Sequence, residues 1–513
     1  MIEHRDVVVI GAGLAGLSAA AHLAREGHRP LVLEHHAVPG GYAHEFTRRG
    51  FRFEVALHAL DGAGPGGWLY EMLDHLGVLD RIELRRLDPL YRVRLPDFEV
   101  TAHADANDYR RELIDLFPGE SEGINSFLDA VRRVGRDVAA FARDRAAGLR
   151  PSPADLLHAY PDMSAAFTQS WADFLASHVT DQQLRAALST LWGYFGLPPS
   201  RMSAGLFAAA LSSYHFNGGY YPIGGSMALS RALEAVILEE GGSLRYRNTV
   251  TRMEVADGRV RSISTHRGDS YETGMVISTA SPVDTIGFVG AEHFDAAYVE
   301  RMTSDKPALS NLVVYLGVAG DLAAEGWPHH EFFVEDDYDL ELGYRAVVDG
   351  DFDRAGMVIT NYTRSDPGCA PAGHSVLVIM TLAPWDYAEV WGTGGDLTGY
   401  STKPAYLAVK DAAGDALIRR ADRLIPGLAE RIVVKEIATP LTNVRYGRQP
   451  FGSIYGREQT VENMYAHRRS PRTPIDNLFL AGAWIAGGGM STAMGSGRTA
   501  AALAGRALAG REP

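Results

Sequence analysis

Between Asp6 and Glu34 the chain spells out a strand, a glycine turn, a helix and a second strand, and no other stretch of the 513 residues limits the fold as much. DVVVI (Asp6–Ile10) is a β-branched apolar run, as a strand buried on both faces requires. GAGLAG follows at once, placing Gly11, Gly13 and Gly16 ahead of an Ala-rich helix expected over Leu14–Glu26. PLVLE then closes the unit on Glu34. A GxGxxG motif alone is a weak signal. Here it follows a strand, opens a helix and has an acid 23 residues beyond its first glycine, which is the full context of a dinucleotide site.

Each part has a physical task. Gly11 permits the tight turn, Gly13 lets backbone approach a pyrophosphate, and Gly16 lets the helix pack closely on the strand. Ala12, Leu14 and Ala15 share that turn, where free N–H groups and the positive end of a helix dipole meet phosphate. Glu34, followed by His35, can accept hydrogen bonds from an adenosine ribose and would repel a 2′-phosphate. The Gly40–Gly41 pair and Tyr42 come next. An NAD site needs nothing further after its ribose acid, whereas a second stretch of bare backbone suits the longer ribityl chain of FAD.

Composition excludes other classes. Lys plus Arg number 49 and Asp plus Glu 63, a net charge of −14, so net charge draws the protein neither to nucleic acid nor to an anionic bilayer. Arg48, Arg49 and Arg52 read as a solvated basic turn. Cys369, the single cysteine, rules out an intramolecular disulfide or a thiolate cluster, and no metal site is expected. This usage fits the cytoplasm. The first strand leaves no room for a signal peptide, and no run of 18 apolar residues would span a bilayer, so contact with a membrane periphery stays open.

Downstream, residues 105–217 read as a helical region broken at Pro151, Pro153, Pro161 and Leu197–Pro198–Pro199, with one long amphipathic helix ending near Gly148. Tyr220–Val260 reads as a glycine turn, a helix and two short strands around Val250, and Val276–Pro282 as a further strand. Period-two alternation in LSNLVVYLGV, HHEFFVE, GMVITNY and HSVLVIMTLAPW indicates a mostly antiparallel sheet, with a helix from Pro404 to Leu424 packed on it. A strand (Leu478–Ala481) then enters a glycine cluster and a terminal helix.

Three widely separated segments resemble the FAD-dependent phytoene desaturase, carotenoid isomerase and retinol saturase group. They are Glu34 with Gly40–Gly41, Phe46, Gly50–Phe51 and His58; the Tyr220–Val260 return; and the C-terminal Gly482–Ala483 with Gly487–Met490. Glu54 and Ala56 depart from the Asp and Gly of many members. The resemblance implies an α/β fold with a discontinuous Rossmann-type FAD-binding domain in three parts (1–104, 218–282 and 441–513). A helical lid (105–217) and a mostly antiparallel substrate sheet (283–440) would complete it. It adds Leu57, His58, Val250, Gly482, Ala483, Gly489 and Met490 to the FAD contacts, with Val250 backbone at the adenine.

One dinucleotide site and no second one for NAD(P)H implies FAD that exchanges electrons with oxygen, a quinone or an external donor. The protein then supplies position and a proton path, for which His58, Glu54, His44, Tyr455 and Tyr220 are the candidates, His58 first because a near-neutral imidazole can give or accept a proton. The first reading is an enzyme that desaturates, saturates or isomerises a hydrophobic polyene or isoprenoid. A flavin amine oxidase is the second, against which stand Tyr42 after the Gly–Gly pair and Ala483–Trp484. A prenyl-binding escort protein of the same fold is the third.

Overall fold

The computed structural model describes residues 3–146, 149, 152–464 and 467–510, so Gly148 and Pro151 lie outside the described residues. The opening unit forms as its sequence dictates: strand β1 (Glu3–Ile10), helix α1 (Leu14–Arg25) and strand β2 (Pro30–Leu33), with β1 and β2 parallel. Val7, Val8 and Val9 are fully buried, because helices cover one face of this sheet and a second apolar cluster the other. The hairpin β3 (Tyr91–Arg94) and β4 (Glu99–Ala102) follows, and helices α2 (Ala106–Leu116), α3 (Ser121–Ala146) and α4 (Ala204–Asn217) frame the helical region. Pro153 and Pro161 each open a short helix, where a missing N–H costs nothing.

Helix α5 (Gly225–Glu239) brings the chain back, and β5 (Ser243–Arg245) joins β2 in parallel. Strands β6 (Val250–Ala256), β7 (Arg259–Thr265) and β8 (Ser270–Ser278) make an antiparallel meander whose last member runs parallel to β1. The second sheet takes β9 (Ser310–Ala319), β10 (Glu331–Val334), β11 (Met357–Asn361) and β12 (His374–Ala383), then helix α6 (Pro404–Asp422) and β13 (Ile432–Ala438). Strand β14 (Leu478–Leu480) returns to pair with β8, and helix α7 (Met490–Leu508) closes the fold.

The sheet expected to carry the cofactor, called the cofactor sheet, therefore has the order β5-β2-β1-β8-β7-β6 with β14 on β8, and the one expected to face substrate, called the substrate sheet, the order β13-β9-β12-β11-β10-β3-β4. Two expected boundaries move. The hairpin 91–102, expected in the first cofactor segment, belongs to the substrate sheet, where β3 runs parallel to β10. Residues 282–303, expected to lead into that sheet, form helices Pro282–Val289 and Ala296–Thr303, whose apolar residues pack with Val250, Val276 and Leu480 of the cofactor domain. Both faces of the substrate sheet are buried. Leu316, Phe332 and Ile379 pack with α6 on the rear, while Tyr315, Phe333 and Val378 face the cofactor domain and the helical lid.

Candidate active site

The segments that the sequence sets hundreds of residues apart meet at the N-terminus of α1. Thr279, just past β8, donates from its backbone N–H and its hydroxyl to Ile10 O (2.9 and 2.8 Å), and Ala481 N–H donates to Ser278 O. The two glycine turns touch each other: Gly40 N–H donates to Ala12 O at 2.7 Å, and a Cβ on Gly41 would lie 3.1 Å from Gly13 Cα. A Cβ on Gly16 would fall 1.9 Å from Gly11 O, so only glycine lets α1 start where it does. The result is a cradle of bare backbone at a helix start whose first N–H groups have no partner inside the helix.

Glu34 stands beside this cradle. Its carboxylate accepts from Ala12 N–H and His36 N–H, both at 2.6 Å, and from His35 Nδ1 at 2.8 Å. Burial alone would raise its pKa, but the His35 imidazole and the two backbone donors outweigh burial and hold the acid below its usual range. Asn248 N–H donates to Glu34 O and Arg247 N–H to His36 O, which sets the start of β6 at Val250 alongside the acid. Tyr42 donates to Ser453 O, and Leu57 is buried with its N–H on Glu54. At the other end, Gly482 N–H donates to Ser496 Oγ, Ala483 follows it, and Gly489 caps α7 at Met490.

The proton candidates separate. Glu54 has its oxygens filled by Ser226 N–H and Oγ, both at 2.7 Å, and by the N–H groups of Ala56 and Leu57, so it fastens the start of α5. Burial pushes it up to about 7 against those hydrogen bonds. His44 Nδ1–H donates to Gly41 O (2.6 Å) next to His36, on the cradle side, and burial lowers it to about 4. Tyr455 lies across Gly488, donates to Gly193 O of the lid at 3.1 Å, and has its pKa raised by burial. Tyr220 sits in a small sheet opposite Leu60 with its hydroxyl against Gly64. The basic turn is spent on ion pairs, Arg48 with Glu436 and Arg52 with Asp366 and Glu45.

His58 occupies the junction of cofactor segment, substrate sheet and lid, but not as a titrating base near neutrality. Burial and the neighbouring His330 lower it to about 3, so the imidazole is neutral. Its Nδ1 lies 2.8 Å from Thr360 Oγ1 and 3.3 Å from Glu331 Oε1, and Tyr194 stacks on the ring at 5.5 Å. Glu331, at the head of β10, is the residue that sequence reasoning passed over. It is 3% exposed, accepts from the Tyr194 hydroxyl, and burial lifts its pKa well above the usual carboxylate range. Two residues past Phe333, Glu335 accepts from Trp192 Nε1 at 2.8 Å and is pushed up to about 8 by burial. The lid turn Thr190–Tyr194 thus straddles β10, with Tyr194 edge-on to Phe333 at 5.5 Å. The acid after two histidines in HHEFFVE, with aromatic neighbours, was the visible signal.

The model of the family described as "Flavin containing amine oxidoreductase" matches residues 14–504. The chain belongs to that family. Within it, the chain is 27% identical over 501 residues to prolycopene isomerase 2, chloroplastic, of an Oncidium hybrid cultivar, covering 94% of this chain and 80% of the relative. It is 24% identical to all-trans-retinol 13,14-reductase of Danio rerio, covering 94% and 82%. A solved oxidoreductase from Methanosarcina mazei shares the fold with a TM-score of 0.63 at 18% identity, over 96% and 99% of the two chains. This flavin family member is an FAD-dependent oxidoreductase. Its residues fit FAD: a Cβ on Gly40 would fall 2.0 Å from Ala43 O and one on Gly41 3.1 Å from Gly13 Cα, so the turns stay bare backbone, and Glu34 is fastened beside them by Ala12 N–H. Among the described residues no helix is long and apolar enough to cross a membrane.

Proposed function

We propose that the enzyme exchanges hydrogen with carbon–carbon double bonds of an extended apolar polyene or isoprenoid, by desaturation, saturation or cis–trans isomerisation. Glu331 gives or takes the proton. Bound FAD supplies hydride exchange at N5, with oxygen, a quinone or an external donor as electron partner. The observation that supports this most is an acid kept neutral among rings, where cofactor segment, sheet and lid meet. A neutral carboxyl has a proton to give to carbon, and the Tyr194 hydroxyl stabilises the carboxylate left behind. His58 positions Glu331, and its own backbone oxygen accepts from His330 Nε2 at 2.9 Å, tying the strip to the sheet. Prolycopene and all-trans-retinol, which the relatives' names carry, are elongated polyenes of this kind.

The family description keeps an amine substrate in view, but an ammonium ion seeks an ionised carboxylate, and burial holds Glu331 neutral. FAD-loaded protein mixed anaerobically with a poly-cis carotene, with all-trans-retinol and with a diamine separates the readings. Bleaching by a polyene indicates desaturation; isomerisation or saturation only after chemical reduction of the flavin indicates the other two. Glu331→Gln should keep bound FAD and lose roughly 10²-fold or more in rate. Bleaching by the amine alone, or full activity in the Gln variant, overturns the proposal.

A further inference from the structure

Glu331, Phe333 and His58 are all buried, so an extended apolar molecule reaches the acid only if one of the walls around it moves. Two of those walls are tied down through backbone. Strand β10 is paired with β11 on one side and with β3 on the other. The cofactor segment is pinned to the sheet by its carbonyls: His58 O accepts from His330 Nε2, and Leu57 O from the Tyr362 hydroxyl at 2.8 Å. A third wall is the lid turn Thr190–Tyr194, and among the described residues no backbone hydrogen bond joins it to the sheet. Side chains alone hydrogen-bond it in place. Trp192 Nε1 donates to Glu335 Oε1 at 2.8 Å, the Tyr194 hydroxyl to Glu331, and the Tyr455 hydroxyl to Gly193 O at 3.1 Å.

The flanks of that turn are fixed to the lid. Ser189 Oγ accepts from Trp171 Nε1 at 2.9 Å and donates to Arg185 O at 2.8 Å. On the far side the Phe195 ring rests on Phe207 of α4 at 4.9 Å, Pro199 O accepts from Ala172 N–H, and Met202 O from Trp171 N–H. Two glycines lie between these anchors. Gly196 has φ +73°, and a Cβ on Gly193 would meet nothing within 4 Å. We propose that Thr190–Tyr194 is a gate, which lifts off β10 to admit the polyene and closes behind it. Each hold is one hydrogen bond, and water replaces such a bond at small net cost when the turn lifts. Closure returns the Tyr194 hydroxyl to Glu331, so the acid has its partner only with the gate shut. The purpose of the gate rests on the reading of Glu331 as the proton-exchanging acid; its motion does not.

The test follows the turn first and then what passes it. Amide deuterium exchange in FAD-loaded protein reads Trp192 N–H, bonded to Ser189 O, and the N–H groups of Phe195 and Gly196, bonded to Trp192 O. Trp192→Phe and Tyr455→Phe each remove one hold, and each should speed exchange across residues 190–196 about fivefold. Stopped-flow uptake of all-trans-retinol, read by its fluorescence, should quicken by a similar factor. Ser200→Ala removes a 2.9 Å bond to Glu341 from the anchored stretch and should leave both rates at the parent value. If Trp192→Phe does not fold, Tyr455→Phe decides. Parent-rate exchange in the variants that lose a hold, equal acceleration by Ser200→Ala, or faster exchange with unchanged uptake overturns the gate. A Glu331→Gln variant that turns polyenes over normally would sink the catalytic reading alone, and the exchange and uptake results would still support the gate.

Discussion

At the scale of single residues, two buried glutamates show how differently one side chain is used. Glu54 and Glu331 are 4% and 3% exposed, and burial raises both. Glu54 spends its oxygens on four donors, two of them at the start of α5, whereas Glu331 has the Tyr194 hydroxyl and an imidazole at 3.3 Å. Removing Glu54 should therefore cost stability and not chemistry. Glu54→Ala orphans buried donors, each worth about 1–3 kcal/mol, so the thermal midpoint should fall while the rate of flavin reduction in the folded fraction holds. An unchanged midpoint with lost turnover would restore Glu54 to the proton path. The burial that lowers His58 to about 3 was not legible in the sequence, because a motif carries no record of how many apolar atoms will surround a ring.

At the scale of elements, the legible parts were those whose partners lie close in sequence. The β1–α1–β2 unit, the α5 turn and the α7 start emerge within a residue or two, since glycine, strand and helix periods sit side by side. The hairpin 91–102 was missed because its sheet is chosen by Phe332 and Phe333, some 240 residues away, and alternation alone does not name a partner. Glu331 was missed for the same reason: its value comes from Tyr194 and His58, which only the fold brings to it. What binds elements to one another also sets cofactor retention. Helix α7 presses on α1 where Ser18 Oγ donates to Met494 O, and a Cβ on Gly497 would lie 2.1 Å from Ala15 O. Gly497→Ala must shift one helix against the other at a cost of about 1–3 kcal/mol, lowering the melting temperature and speeding FAD release. Gly119→Ala, with open space around it, should stay within about 0.5 kcal/mol of the parent. Equal effects at the two positions would refute the close-packing account.

At the scale of the whole molecule, buried titratable groups of both kinds impose a pH optimum on stability. His22, His44, His215 and His330 are lowered to about 4 and His58 to about 3, all chiefly by burial, from an ordinary 6.5. Below about 6.5 the unfolded chain binds protons that these folded imidazoles refuse, so their contribution is lost as pH falls. Glu54 at about 7, Glu335 at about 8 and Glu331 above the usual range have the opposite sign. Above an ordinary 4.5 the unfolded chain has released protons that the folded acids still hold, so stability drops as pH rises until each acid ionises in place. Between 4.5 and 6.5 the five histidines outweigh the three glutamates, and stability climbs with pH. Past 6.5 the histidine contribution is complete and the glutamates alone set the slope. Urea unfolding of FAD-loaded protein at about pH 5, 6.5 and 8 and constant ionic strength should therefore show a maximum at the middle value. Glu335→Gln, which keeps an acceptor for Trp192 but cannot ionise, should flatten the alkaline limb. Stability that rises steadily to pH 8 would mean that water reaches these carboxyls, and with it would go the dry site that the proposed proton chemistry requires.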